Sequence, residues 1–190
     1  MPLLILASGS PRRQEMMKRI TDDFIVMVPD IDETPLESES PEDMVLRLAM
    51  EKARAVYDKE GSKIPVLAAD TIVVIDGIIL GKPGTYEEAS MMLGQLAGRY
   101  HEVITGVALV EGDDGKVQSF TETTKVLFAE LDEREVSDYI ATHEPMDKAG
   151  AYGIQGHGGK FIKRIDGCFY NVMGFPLNSI YSLLKGAGII

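Results

Sequence analysis

The chain has 190 residues, 45% of them hydrophobic, a single cysteine and a formal net charge of −11. That length suffices for one large domain or two small lobes with a substantial core. The acidic balance opposes nonspecific binding to nucleic acid or to an anionic membrane. Cys168 has no partner for an intrachain disulfide and suits a reducing, cytoplasmic setting. No run approaches the roughly 20 apolar residues needed to cross a bilayer, and Met1-Pro2 lacks the basic start of a secretory leader.

In chain order, Leu3-Leu4-Ile5-Leu6-Ala7 reads as a short buried strand, too brief for a helix and closed by small turn residues. A helix follows from about Pro11 to Arg19, with Ser10 as N-cap and proline at the first position. A strand is expected over Phe24 to Val28, and a polar loop over Asp30 to Pro41. Ser40-Pro41-Glu42-Asp43 starts a helix running to about Lys59. Val66 to Ala69 and Thr71 to Ile75 are strand-like, and Asp76-Gly77 marks a hairpin into Ile78-Ile79-Leu80. Tyr86 to Leu96 is helical. Glu102 to Val110 and Val117 to Phe128 form a long hairpin through Asp113-Asp114-Gly115. A helix over Asp132 to Thr142, a Gly-rich tract from Gly150 to Gly159, a strand over Phe161 to Ile165 and a helix over Leu177 to Lys185 complete the chain. Alternating strands and helices with hairpins predict an α/β protein with a mixed sheet, without internal repeats or linkers.

Acidic residues crowd Asp30 to Asp43, Glu111 to Asp114 and Glu130 to Asp138. Arg12, Arg13, Lys52, Lys82 and Lys148 instead lie in small-residue turns or on an apolar face. Such local cations can hold a small polyanion without a globally basic surface. The turn Ser8-Gly9-Ser10-Pro11-Arg12-Arg13 combines two hydroxyls, helix N–H groups and two guanidiniums, which together favour an anion. Its bland alternative is a capped surface helix with solvated arginines.

Two charges stand in apolar company. Lys52 falls within the stripe Val45, Leu48, Ala49 and Val56, so it must snorkel, pair with an acid or face a polar cavity. Asp70 interrupts Ala68-Ala69-Asp70-Thr71 and reads either as a cap at the end of a buried strand or as a carboxylate meeting a cation, a metal or donors. Asp32-Glu33 supplies further carboxylates from the polar loop. Carboxylates without a His or Cys cluster suit a hard cation, Mg²⁺ or Mn²⁺.

Gly81-Lys82-Pro83 lacks the spacing of a P-loop, leaving Lys82 as a lone phosphate contact. The tract Asp147 to Gly156 carries Lys148, Tyr152 and Gln155 among small residues. It reads either as a surface loop or as backbone made for close approach, with Gln155 offering both a donor and an acceptor to a nucleobase edge. His101, His143 and His157 have no metal-ligand spacing.

Several of these blocks, in this order, resemble the Maf (septum formation inhibitor) family of nucleoside triphosphate pyrophosphatases. They are Leu6 to Arg13, Asp32-Glu33-Thr34-Pro35, Arg47-Leu48-Ala49 through Lys52-Ala53, Ala69-Asp70-Thr71, Gly81-Lys82-Pro83, His101 to Val107, Asp147 to Gly156 and Asn171 to Leu177. Only Gly9 departs in the first block, where the family often has alanine. The resemblance implies one domain over residues 1–190 with a two-lobed mixed sheet, flanked by helices around a central cleft and similar to inosine triphosphate pyrophosphatases. It implies hydrolysis of a nucleoside triphosphate to the monophosphate and pyrophosphate with a divalent cation. Asp70 resembles the proton acceptor, and Arg12, Thr71 and Gln155 match positions linked to base selectivity. Arg13, Glu33, Lys52 and Lys82 match other cleft residues. The expected assignment places Glu33 and Asp70 on the metal, and Ser8, Ser10, Arg12, Arg13, Lys52, Thr71, Lys82, Lys148 and Gln155 on the substrate. The Asp147 to Gly156 tract resembles the branch acting on dTTP and UTP, with CTP and modified pyrimidine nucleotides left open. The branch acting on 7-methyl-GTP has Cys-Ala-Gly and Ser-Glu-Gly elements instead. A nucleotide-binding regulator of cell division without turnover is the alternative, and a homodimer is admitted but not dictated by any residue.

Overall fold

The computed structural model describes residues 3–61 and 64–190. Met1 and Pro2, which bear on the reading of a secretory leader, lie outside them. The elements run β1 (Leu4–Ala7), α1 (Pro11–Met17), β2 (Phe24–Met27), α2 (Pro41–Glu60), β3 (Val66–Ile75), β4 (Ile78–Leu80), α3 (Tyr86–Leu96), β5 (Tyr100–Glu111), β6 (Lys116–Phe128), α4 (Glu133–Ile140), β7 (Ile162–Asp166), α5 (Phe169–Val172) and α6 (Leu177–Gly186). Short 3-10 turns occupy Glu144–Asp147, Ala149–Ala151 and His157–Phe161.

The seven strands pair in the order β2-β1-β3-β5-β6-β7, with β4 paired to β3. β1 is parallel to both β2 and β3, which is why its residues are apolar without alternation and wholly buried. The β3/β4 and β6/β7 pairs are antiparallel, so the sheet is mixed. No helix among the described residues is long and apolar enough to cross a membrane.

Helix starts follow the local chemistry. Ser10 Oγ accepts the Arg13 N–H with Pro11 at the first position, and Ser40 Oγ accepts the Asp43 N–H at 3.1 Å with Pro41 behind it. Gly61, in the left-handed region at φ 58°, closes α2. One boundary differs in kind from the sequence expectation. The two strand pieces around Asp70 are a single ten-residue strand, β3, so Asp70 is an interior strand residue and not a strand cap. The pairing of β3 with its neighbours carries the backbone straight through the charge.

The chain forms two compact units. The first comprises the residues up to Asp70, Thr105–Glu122 and Gly174–Ile190; the second comprises Thr71–Ile104 and Thr123–Met173. In the first unit, Ala49, Ala53 and Val56 of α2 pack on Ile5, Ala7, Val66, Ala68, Ala108 and Val110. The many alanines bring the helix close to the sheet. Gly106 brings it closer still: a Cβ there would collide with the Val45 carbonyl oxygen, a backbone atom that cannot swing away.

The second unit has an aromatic core, in which Phe128, Tyr139, Tyr152 and Phe161 pack with Ala89, Leu93 and Leu96 of α3. His101 is buried in it, edge-on to Phe128 and Tyr152, with Nε2 2.8 Å from the Tyr152 hydroxyl. Burial pushes its pKa down to about 4. Histidine in the unfolded chain titrates near ~6.5, so between these values only the unfolded state takes the proton. The stability that neutral His101 contributes is therefore complete above pH ~6.5 and is lost as pH falls toward 4. In urea titrations at pH 7 and pH 5, wild type should lose about 2 kcal/mol more than His101→Gln. Equal losses in the two proteins would show that His101 already carries its proton in the folded state.

Candidate active site

The first unit gathers its charges around one ammonium. Lys52 emerges from the buried face of α2, among Val45, Leu48, Ala49 and Val56, and only 8% of it is exposed. Its Nζ donates to Asp70 Oδ1 at 2.6 Å and lies 2.8 Å from Glu33 Oε1. Asp70 is equally buried, whereas the Glu33 side chain is 59% exposed. Of the three readings open for Lys52, pairing with acids is what the structure shows. A buried aspartate in an apolar strand needs such a partner, since an unpaired carboxylate there costs several kcal/mol.

Arg13 joins the same cluster from α1. Its Nε donates to the Gly174 carbonyl at 2.8 Å, tying α1 to the segment before α6. Burial of the guanidinium lowers its pKa, while the charges of Asp70 and Glu33 oppose that shift and Arg12 adds to it. An arginine stays protonated regardless, so the shift marks a charge held in a poorly hydrated place beside two carboxylates. The opening turn is itself tightly bonded: Ser8 is buried, its Oγ accepts the Ser10 N–H at 3.2 Å, and Ser10 Oγ caps α1. Both hydroxyls are thereby oriented by the backbone and retain a proton to donate. A Cβ at Gly9 would rest 3.5 Å from Val28, an ordinary contact, so alanine fits there equally well.

Glu33 reaches Lys52 from an irregular loop, and Arg47 of α2 straps that loop down. Its guanidinium binds Glu39 through two bonds, Nε to Oε1 at 2.6 Å and a terminal nitrogen to Oε2 at 2.8 Å. It also donates to the Thr34 carbonyl at 3.3 Å and to Glu51. The Thr34 hydroxyl and N–H both donate to Asp32, which lowers its pKa and closes the turn that carries Glu33. Arg47 and Glu39 were not singled out from sequence. The available signal was an arginine beside the apolar stripe of α2 together with an acid ahead of the helix.

Arg12, half-buried on α1, adds its charge beside Arg13 in the first unit. The other candidates belong to the second unit. Thr71 directly follows Asp70 on β3, so the two side chains leave opposite faces of the strand. Lys82 is exposed after β4 and makes no ion pair among the described residues. Lys148 donates to the Glu144 carbonyl at 2.9 Å and to Asp147 at 2.5 Å, which commits two of its three protons. Gln155 is exposed on the Gly-rich tract.

Among the described residues, no group of three or more His, Cys, Asp or Glu converges on one point. Asp70 and Glu33 do converge, on an ammonium that itself shows where the two carboxylates favour positive charge. Two carboxylates and no nitrogen or sulfur donors fit a hard cation that takes its other ligands from phosphate and water.

These charges sit on a known framework. The Ham1 protein of Staphylococcus aureus shares it with a TM-score of 0.55 at 18% identity, over 97% of this chain and 98% of that one. The class is therefore a Ham1-like α/β fold carrying a buried carboxylate–ammonium cluster. Residues 3–187 match the family described as Maf-like protein, and the chain belongs to that family. A relative from Symbiobacterium thermophilum is 50% identical over 99% of this chain and 95% of its own length. Others from Bdellovibrio bacteriovorus and Caldicellulosiruptor bescii are 47% and 43% identical, over 97% and 99% of this chain and 98% and 96% of their own lengths. All three are named dTTP/UTP pyrophosphatase.

The Lys52–Asp70 contact has a measurable energetic signature. Lys52→Met should destabilise the protein by about 3 kcal/mol in urea unfolding, because it strands a buried carboxylate. Asp70→Asn in the same chain should restore part of the loss, giving a coupling of about 1 kcal/mol or more. Strict additivity of the two substitutions would show that the pair is not energetically linked.

Proposed function

We propose that this protein hydrolyses dTTP and UTP to the nucleoside monophosphate and pyrophosphate, with residues 1–190 working as one domain. The observation that carries the reading is the buried Lys52 with its two carboxylates, Asp70 inside β3 and Glu33 on a strapped loop. The names of the family's relatives support the substrate class. Continuity of the chain supports the single domain, since β3, β5 and β6 each contribute residues to both compact units.

In this reading Asp70 accepts the proton of a water whose oxygen bonds to the α-phosphorus while the bond to the pyrophosphate oxygen breaks. Asp70 suits that role because its carboxylate is oriented by the Lys52 hydrogen bond and is fixed by a strand rather than a loop. Arg12, Arg13, Lys52 and Lys82 supply positive charge to the triphosphate, and fixed charge in a poorly hydrated place stabilises the charge that develops on its oxygens. Ser8 and Ser10 donate to phosphate oxygens from the opening turn, and Lys148 contributes its remaining proton from the Gly-rich tract. Thr71, Gln155 and Arg12 select the base, with Gln155 suited to a uracil or thymine edge because its amide both donates and accepts. Asp70 and Glu33 would hold Mg²⁺ or Mn²⁺, which when bound polarises the phosphate and makes water more acidic.

Asp70→Asn keeps the shape of the side chain and removes the base. With Mg²⁺ and dTTP or UTP, pyrophosphate release by this variant should fall about 10²-fold or more below wild type while the circular dichroism spectrum stays native. Turnover at the wild-type rate would remove Asp70 from the reaction. Binding of dTTP by the wild type without pyrophosphate or monophosphate release would favour a non-catalytic nucleotide-binding regulator instead.

A further inference from the structure

The Gly-rich tract is not a loose surface loop, and what holds it is a carboxylate outside the proposed machinery. Glu144 begins the 3-10 turn that follows α4. Its Oε2 accepts the His157 N–H at 2.8 Å, and its Oε1 accepts the Gly158 N–H at 3.1 Å and the Tyr139 hydroxyl at 2.9 Å. The same Tyr139 hydroxyl accepts the Gly153 N–H at 3.1 Å, so one acid and one phenol clamp both ends of the Gly153 to Gly158 segment. Tyr139 is 1% exposed, which roots the clamp in the core of the second unit. The wrap is close: a Cβ at Gly156 would collide with the Glu144 carboxylate, so the bare glycine leaves the carboxylate room to reach its N–H partners.

Gln155 projects from the middle of this clamped segment and is exposed. We propose that Glu144 is the positioning residue that presets Gln155 for the base, so that the discrimination of uracil and thymine nucleotides depends on a carboxylate that does not touch substrate. The proposal rests on the reading of the protein as a dTTP/UTP pyrophosphatase. The physical reason is pre-organisation: a segment rich in glycine has many accessible conformations, and a flexible reader would lose that freedom on binding. Three acceptor bonds to a single anion remove most of it beforehand, and bonds to an ionised carboxylate are stronger than neutral ones. Desolvation alone would raise the Glu144 pKa, but the His157 and Gly158 N–H groups, the Tyr139 hydroxyl and the Lys148 charge together hold it below the ordinary value. The anchor is therefore ionised at neutral pH.

The test uses the full chain with Mg²⁺, and steady-state kinetics on UTP and CTP. Glu144→Gln keeps the size of the side chain but turns one acceptor into an N–H that faces another donor. Tyr139→Phe removes only the hydroxyl and leaves the core shape, so it serves if the first variant does not fold. In both variants amide exchange at His157 and Gly158 should accelerate. The preference for UTP over CTP should fall by about tenfold, the factor that one lost hydrogen bond supplies. That loss should come through KM for UTP, with kcat within about threefold of wild type, because the reacting groups lie elsewhere. A folded Glu144→Gln protein with faster exchange but an unchanged UTP to CTP preference would overturn the proposal, as would a loss confined to kcat. Gln155→Ala is measured beside them. If it leaves the preference intact, Gln155 is not the reader that Glu144 presets, and the proposal is overturned whatever Glu144→Gln does. No release of pyrophosphate from UTP by wild type would overturn the pyrophosphatase reading and the proposal together.

Discussion

The contact between Lys52 and Asp70 constrains everything around it. A carboxylate within an apolar strand is tolerated only with a cation at hydrogen-bond distance, and here the buried face of α2 supplies one. That face must therefore lie close on the sheet, which accounts for the alanines at 49, 53, 68 and 108 and for a glycine at 106. The helix cannot drift outward without stretching the ion pair, and larger residues at the contact would push it outward. Packing and electrostatics thus specify the same helix position from opposite sides.

The third member of the cluster is built differently. Glu33 comes from a segment without regular structure, so no ladder of backbone bonds fixes it. Arg47 substitutes for that ladder by joining α2 to Glu39 and to the Thr34 carbonyl. A rigid base on a strand and a tethered carboxylate on a loop suit different tasks. In the proposed reaction a carboxylate buried on a strand keeps its geometry, whereas the exposed Glu33 is free to adjust its ligation as substrate and cation arrive. The same device recurs in the second unit, where Glu144 holds a glycine-rich segment by its N–H groups. In both cases an ion fixed to regular structure gives definite shape to a segment with little of its own.

Those two straps mark where sequence reasoning stops. Helix starts were readable because a cap is local: Ser10-Pro11 and Ser40-Pro41 each declare a helix within a few residues. Lys52 and Asp70 were readable because a charge in an apolar pattern breaks a periodicity that burial imposes. The continuity of β3 through Asp70 was not readable, since a charge in a strand pattern looks like an end until its partner is known. Glu39, Glu144 and Tyr139 left no such trace. An acid in an acidic stretch or an aromatic in an amphipathic helix fits its surroundings, and only the fold reveals that its partner is a distant arginine or a backbone N–H. The short 3-10 turns and α5 escaped for a related reason: they have no period long enough to register.

The charge balance of the cluster bears on how an acidic protein can take a polyanion at all. The chain carries −11 overall, and that field repels a triphosphate at long range. At an ionic strength of 0.1 M such repulsion is screened beyond about 10 Å, so the local arrangement decides affinity. Arg12, Arg13 and Lys52 against Asp70 and Glu33 leave a single net positive charge. A triphosphate offers several negative charges, and one net cation cannot offset the water they would lose on entering a partly buried place. The two carboxylates look costly in this light, since without them the same cations would bind phosphate more strongly. They become favourable if the nucleotide arrives with a divalent ion, because the carboxylates then attract the metal that the arginines repel. A site that selects the metal-bound nucleotide over the bare one needs both signs of charge side by side, and that is the arrangement this cluster has.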